Sequence, residues 1–239
     1  MKSKTINFLD EGERNRALKA ARDSKRFSIS IPLRNCANAL YLLFREEVES
    51  RGGQFRFDDA TRSHVAKAAE WLTNPNGTYG LLLSGLYGNG KTSLAKSIAK
   101  LIEMFTEREF GYSNRKVVKM YTAKQICRIC GAAADRTKDS IDRYERLFTE
   151  PMIIIDDLGE EPREVMVFGM IHTPIVDIIS ERYAAQRMTI LTTNLNADEL
   201  RAKYGNRILD RFHEMLTPIV FENESYRTGK TDNPMGNPY

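Results

Sequence analysis

The most constraining stretch of this 239-residue chain is "GLYGNGKT", Gly85 to Thr92, which follows the apolar run "GLLLSG" and opens onto "KTSLAKSIAKLIEM". It fits the pattern G-x-x-x-x-G-K-[ST] through Gly85, Gly90, Lys91 and Thr92. With glycine near 7% of average usage, such a match arises by chance in about 1% of chains of this length. The flanks sharpen it. A buried strand lies before it, and after it comes a helix with Leu94, Ile98, Leu101 and Ile102 on one face. In that setting backbone N–H groups at a helix start converge on phosphate. Glycines permit the convergence because no Cβ intervenes. Gly85, Leu86, Tyr87, Gly88, Asn89, Gly90, Lys91, Thr92 and Ser93 are therefore expected to line a phosphate cradle. Lys91 would reach the outer phosphates, and the Thr92 hydroxyl would ligate Mg²⁺.

The rest of the chain supplies a sheet for that cradle. "TYGLLLSG", "KVVKMYT", "PMIIIDD", "MTILTTN" and "TPIVFE" read as five strands. Helices alternate with them. "TAKQ" (Thr122 to Gln125) and "NADE" (Asn196 to Glu199) are capping boxes, and a further helix is expected from Pro174 to Gln186. The alternation predicts a parallel sheet with helices on both faces. Upstream, "DDATRSHVAKAAEWL" carries Val65, Ala68, Ala69 and Leu72 at helical spacing with Asp59 as cap, and "NALYLLFREEVESRGG" predicts a short helix ending at Gly52. The expected organisation is an N-terminal segment over 1–60, a nucleotide-binding domain over 61–228 and a polar tail over 229–239.

Turnover needs more than a cradle. "MIIIDD" ends a strand in Asp156 and Asp157, and an acid at the C-terminal end of a parallel strand faces the ligand crevice. Asp156 would join the magnesium shell, and Asp157 would orient or deprotonate an attacking water, with Glu160 and Glu161 close by. Asn194, at the end of "TTN", can bridge a γ-phosphate and that water, with Thr193 the weaker candidate. Arg207 and Arg211 in "YGNRILDRF" lie one helical turn apart on one face. An arginine that reaches a neighbour's γ-phosphate stabilises transition-state charge and makes the active form an oligomer.

Composition narrows the setting. The net charge is +4, but residues 1–34 hold nine Lys or Arg against four acids, which suits a solvated basic helix or an arm touching phosphate backbones. The three cysteines, Cys36, Cys127 and Cys130, form no framework, as expected for a reducing cytoplasm. No signal peptide or membrane span is expected. "CRIC" (Cys127 to Cys130) lies inside a predicted helix and reads as a pair of buried cysteines rather than half a zinc site. Arg115, Lys116, Lys119 and Lys124, with Phe110, Tyr112 and Tyr121, are candidates for a DNA-facing edge.

Five segments together, "GLYGNGKTSLAKSI", "YTAKQIC", "PMIIIDDLGEEP", "ERYAAQRMTILTTNLNADEL" and "YGNRILDRFHEM", resemble the AAA+ ATPases of the DnaC/IstB type. These are replicative helicase loaders and helper ATPases of insertion-sequence transposition. The resemblance spans residues 62–228. It implies a three-layer αβα P-loop NTPase fold with a five-stranded parallel sheet, a small helical N-terminal segment and no C-terminal lid, for which only 18 residues remain beyond Phe221. It implies ATP and Mg²⁺ as cofactors, Gly85 to Thr92 as Walker A, Asp156 and Asp157 as Walker B, and Asn194 as sensor 1. Arg211 matches the arginine finger, with Arg207 next, and Arg227 in "ESYR" is similar to a residue of sensor-2 type.

Two functions share these motifs. One is an ATP-driven oligomer that loads or remodels a replicative helicase on single-stranded DNA. The other is a transposition helper that coats duplex DNA and directs a transposase. The chain lacks both the cysteine cluster of zinc-bearing loaders and the long helical preamble of transposition helpers, and the second absence tilts the expectation toward loading. A small-molecule kinase would explain the cradle but neither Asn194 nor the paired arginines. A nucleotide-binding adaptor without turnover would require a damaged motif.

Overall fold

A computed structural model describes residues 26–110, 117–167 and 169–226. Five parallel strands form its centre: β1 (Gly80–Gly85), β2 (Val118–Thr122), β3 (Met152–Leu158), β6 (Met188–Thr193) and β7 (Leu216–Phe221), in spatial order β2-β3-β6-β1-β7. β4 (Val165–Val167) and β5 (Met170–His172) form a separate antiparallel hairpin that the alternating pattern did not announce. Pro218 sits inside β7, where the edge position spares it a second ladder partner.

Eight helices of four or more residues lie among the described residues: α1 (Leu33–Glu49), α2 (Asp59–Thr73), α3 (Lys91–Phe110), α4 (Ala123–Ala132), α5 (Lys138–Thr149), α6 (Pro174–Ala184), α7 (Ala197–Tyr204) and α8 (Asn206–Met215). They divide between two cores. Leu81, Leu83, Ile154, Ile190 and Ile219 point from the sheet into a core shared with α1, α2 and α3. Ile153, Ile155 and Leu191 point the other way, into a core shared with α4 through α8. The period-two alternation of strand side chains thus builds a three-layer αβα sandwich. Among the described residues no helix follows β7.

Local chemistry explains the boundaries. Both capping boxes form: the Thr122 hydroxyl accepts from Gln125 N, and Asn196 accepts from Asp198 and Glu199 N. α2 is capped by Asp58, whose carboxylate accepts from Thr61 N at 2.7 Å, one residue before the expected Asp59. Of two adjacent aspartates, the one in extended conformation can turn back onto the first helical turn. α1 starts earlier than its apolar pattern, directly after Pro32, and ends at Glu49 before the turn at Gly52. Its buried stripe, Cys36, Leu40, Phe44 and Val48, packs into the α2–α3 core, so residues 33–49 form part of the sandwich.

At the N-terminal end of the sheet Arg182 is fully buried. It donates to the carbonyls of Glu150 at 2.7 Å and Met188 at 2.6 Å and to Thr189 Oγ1 at 2.8 Å, tying α6 to the starts of β3 and β6. A buried guanidinium is tolerable only with partners of this kind.

Candidate nucleotide site

Four chain segments converge at the C-terminal ends of β1, β3 and β6. The first is the loop from Gly85 to Gly90. A Cβ at Gly90, whose φ is +99°, would lie 2.7 Å from the Tyr226 ring and 2.8 Å from the Phe44 ring; one at Gly85 would lie 2.4 Å from the Phe221 carbonyl. No other residue fits these positions. Lys91 is buried at the head of α3, and its ammonium donates to the carbonyls of Gly85 at 2.7 Å and Leu86 at 2.6 Å and to Asn89 Oδ1 at 3.1 Å. These are weak acceptors that phosphate oxygens can replace with charge-assisted bonds.

The second segment is the end of β3. Asp156 and Ile154 share the sheet face that meets α3, so Thr92 Oγ1 donates to Asp156 Oδ1 at 2.8 Å. Thr192 on β6 is on the same face as Ile190, and its hydroxyl donates to the same oxygen at 2.6 Å. Thr192 Oγ1 also accepts from Asp157 N at 2.9 Å. Between Ile155 and Leu158 the pairing of β3 with β6 shifts register, and Asp157 has φ +55°. The bulge turns the Asp157 carboxylate outward, away from the sheet. Two adjacent aspartates thereby face different surroundings, one buried beside Thr92 and one exposed in the cleft.

The cleft, about 350 Å³ in volume, is lined by Tyr87, Thr122, Lys124, Asp157 and Glu160. Tyr87 donates to Glu160 Oε1 at 2.9 Å, and Lys124 donates to Glu160 Oε2 at 3.3 Å. These bonds hold the Glu160 carboxyl below its ordinary range. Asp157 is moved the other way, first by desolvation and then by the negative charge of Asp156 and Glu160, against the opposing pull of Lys91 and Lys124. Of the two carboxylates, the one of raised basicity is the better proton acceptor. Glu161 takes no part: it is buried, accepts from Gly159 N at 2.8 Å and from the Tyr204 hydroxyl, and pairs with Lys203 at 3.4 Å, anchoring the loop to α7.

Asn194 follows β6 directly, near the Tyr87 hydroxyl. Thr193 is fully buried, with its hydroxyl spent on the Leu158 carbonyl at 2.7 Å. Ser93 is buried on the inner side of α3, where its carbonyl accepts from the Ser97 hydroxyl at 2.8 Å. Arg207 is exposed on α8, whereas Arg211, one turn on, donates to Ser180 Oγ and lies 5.5 Å over the Tyr183 ring. Arg227, Arg115, Lys116 and Tyr112 lie outside the described residues. Cys127 and Cys130 are buried on α4, and burial pushes the Cys127 thiol up to about 11.

Thr192 and the Tyr87–Glu160–Lys124 set were not predicted from sequence. Thr192 carries one signal: it lies two residues before Asn194, on the same face of its strand as Ile190. The Glu160 contacts join residues far apart in the chain.

The donor set suits nucleotide with Mg²⁺. Mg²⁺ takes one or two protein oxygens and completes its shell with phosphates and water, and Thr92 with Asp156 offers that pair. The chain belongs to the ATPase family associated with various cellular activities (AAA), whose family model matches residues 81–217. It resembles the replicative helicase loader DnaC of Escherichia coli strain K12, at 25% identity over 223 residues covering 91% of this chain and 79% of the loader. A crystal structure of the DnaC helicase loader superposes with TM-score 0.55 at 20% identity, covering 70% of this chain and 93% of that one. The crystal structure of DnaI superposes with TM-score 0.54 at 19% identity, covering 82% and 97%. Among the described residues no helix is long and apolar enough to cross a membrane.

Proposed function

We propose that this protein binds and hydrolyses ATP with Mg²⁺ and acts in DNA replication as a helicase loader, in the cytoplasm. The observation that carries this reading is the convergence of Thr92 and Thr192 on the buried Asp156, at the head of the helix that Lys91 opens. Lys91 exchanges loop carbonyls for phosphate oxygens. The Thr92 hydroxyl and the Asp156 carboxylate would hold the metal, which would supply charge neutralisation at the phosphates. Asp157 takes a proton from the attacking water, and Asn194 orients that water against the γ-phosphate. Arg211, with Arg207, reaches the site of a neighbouring copy and stabilises the charge that develops there.

Residues 61–228 would carry the motor, with α1 packed against it, and residues 1–60 would present the surface that selects a replicative helicase. The resemblance to DnaC supports that partner. The basic balance of residues 1–34 supports contact with DNA. The test is Mg²⁺-dependent ATP hydrolysis by the full chain beside Lys91→Ala. Turnover in the first and not in the second supports the reading, and equal rates in the two overturn it.

A further inference from the structure

Tyr226 stands where three parts of the chain meet. Its backbone N–H donates to the Gly88 carbonyl at 2.9 Å, inside the cradle loop, and its own carbonyl accepts from Gln54 N at 3.0 Å. Its ring lies against Gly90, where even a methyl group would be 2.7 Å from Cε2. The same ring stacks on Phe55 at 5.6 Å between centroids and meets Phe44 edge-on at 5.9 Å. Its hydroxyl shares a 2.5 Å hydrogen bond with Thr61 Oγ1 at the head of α2. Two asparagines brace the same loop: Asn89 Nδ2 donates to the Phe221 carbonyl at 3.0 Å, and Asn223 Nδ2 donates to the Asn89 carbonyl at 3.1 Å.

Asn89 is the link to the ligand. Its Oδ1 accepts from the Lys91 ammonium, and phosphate must compete for that ammonium. Any change at Lys91 is felt by Asn89, whose main chain and side chain are both bound to the segment 221–226. That segment is bound through Tyr226 to α1, α2 and the turn between them. The contacts are buried and close-packed, so they move as discrete units rather than by soft deformation.

We infer that Tyr226 and Asn223 are positioning residues. They hold the cradle loop in its phosphate-binding shape and couple its occupancy to residues 44–61. The inference rests on the nucleotide-binding reading of Lys91. By linkage, whatever engages α1 changes nucleotide affinity by the same factor as nucleotide changes its own.

The experiment uses the full chain and three variants, Tyr226→Ala, Tyr226→Phe and Asn223→Ala. It measures ATP turnover and amide exchange of residues 44–61 with and without ATP and Mg²⁺. In the parent chain ATP is expected to slow exchange there about threefold or more. Asn223→Ala, which removes one half-buried amide contact, raises KM for ATP about fivefold with kcat within about twofold, and it cuts the ATP-induced protection by half or more. Tyr226→Ala does the same more strongly, and Tyr226→Phe, which keeps the ring on Gly90, recovers most of the KM. If Tyr226→Ala fails to fold, Asn223→Ala still decides the matter, with Tyr226→Phe as the conservative control. ATP binding with unchanged KM and unchanged protection in Asn223→Ala overturns the inference alone. A parent chain that binds no ATP overturns the nucleotide reading and the inference with it.

Discussion

Thr92 Oγ1 and Asp156 Oδ1 are 2.8 Å apart, joined by a hydrogen bond that links the head of α3 to the end of β3. The contact places two oxygens of suitable hardness on one point at the edge of the cradle, with Thr192 holding the carboxylate from behind. Thr92 and Asp156 would hold a cation there in place of the hydrogen bond between them, and it would neutralise phosphate charge. Asp156→Asn keeps the shape and loses the charge. It is expected to lower kcat for ATP at least about a hundredfold while ADP still binds without metal. Metal titrations followed by fluorescent-nucleotide binding check this, and an unchanged Mg²⁺ requirement contradicts it.

The ionisation of Asp157 bears on stability with a definite sign, and on turnover under the proposed mechanism. Its folded-state affinity for a proton is raised, because desolvation and the neighbouring Asp156 and Glu160 disfavour the carboxylate. The unfolded chain ionises near the ordinary value of about 3.9, so the native state holds the proton more tightly. Stability contributed by this group is therefore present at low pH and is lost as pH rises through the folded value. Asp157→Asn is expected to melt above the parent at pH 7, with the difference closing below about pH 4, while turnover falls about a hundredfold. Thermal melts across pH 3.5 to 8 beside a kinetic assay test both halves.

Arg207 and Arg211 occupy the same face of α8, and Arg211 is oriented by Ser180 and Tyr183. If the pair serves a neighbouring site, Arg211→Ala lowers kcat about a thousandfold with little change in KM. Mixing Arg211→Ala with Asp156→Asn then restores part of the activity, since each supplies what the other lacks. No recovery on mixing places the arginine's role within its own chain.

Arg182 is remote from the cleft and fully buried, so its loss is a matter of stability. Arg182→Ala leaves the carbonyls of Glu150 and Met188 and the hydroxyl of Thr189 without their donor and opens a cavity. The expected cost is about 3 kcal/mol or more, a fall of about 6–12 °C in Tm. Calorimetry checks it, and the folded fraction should still bind ATP as the parent does.

The sandwich was legible because apolar period and capping chemistry are local: "TAKQ" and "NADE" each contain both halves of their box. The cradle was legible because one loop supplies it. Asp156 and Asp157 were legible as a pair, but their different surroundings depend on a bulge against β6 that no single strand encodes. Thr192 looked like one β-branched residue among several, and only the register with Asp156 gives it a role. Tyr226 lies inside "ESYR", but its role cannot be read there, since Gly88, Phe44, Phe55 and Thr61 reach it from distant parts of the chain. The Asp58 cap shows the limit of a pattern: two adjacent aspartates offer the same chemistry, and backbone conformation chooses between them.

A helicase loader is expected to turn over ATP in response to the DNA on which the helicase is loaded. The direct measurement is steady-state ATP hydrolysis by the full chain with no DNA, with single-stranded DNA and with long duplex, at one fixed salt concentration. Stimulation by single strands above both other conditions is the predicted result. Preference for long duplex, or no turnover beside intact ATP binding in all three, contradicts it.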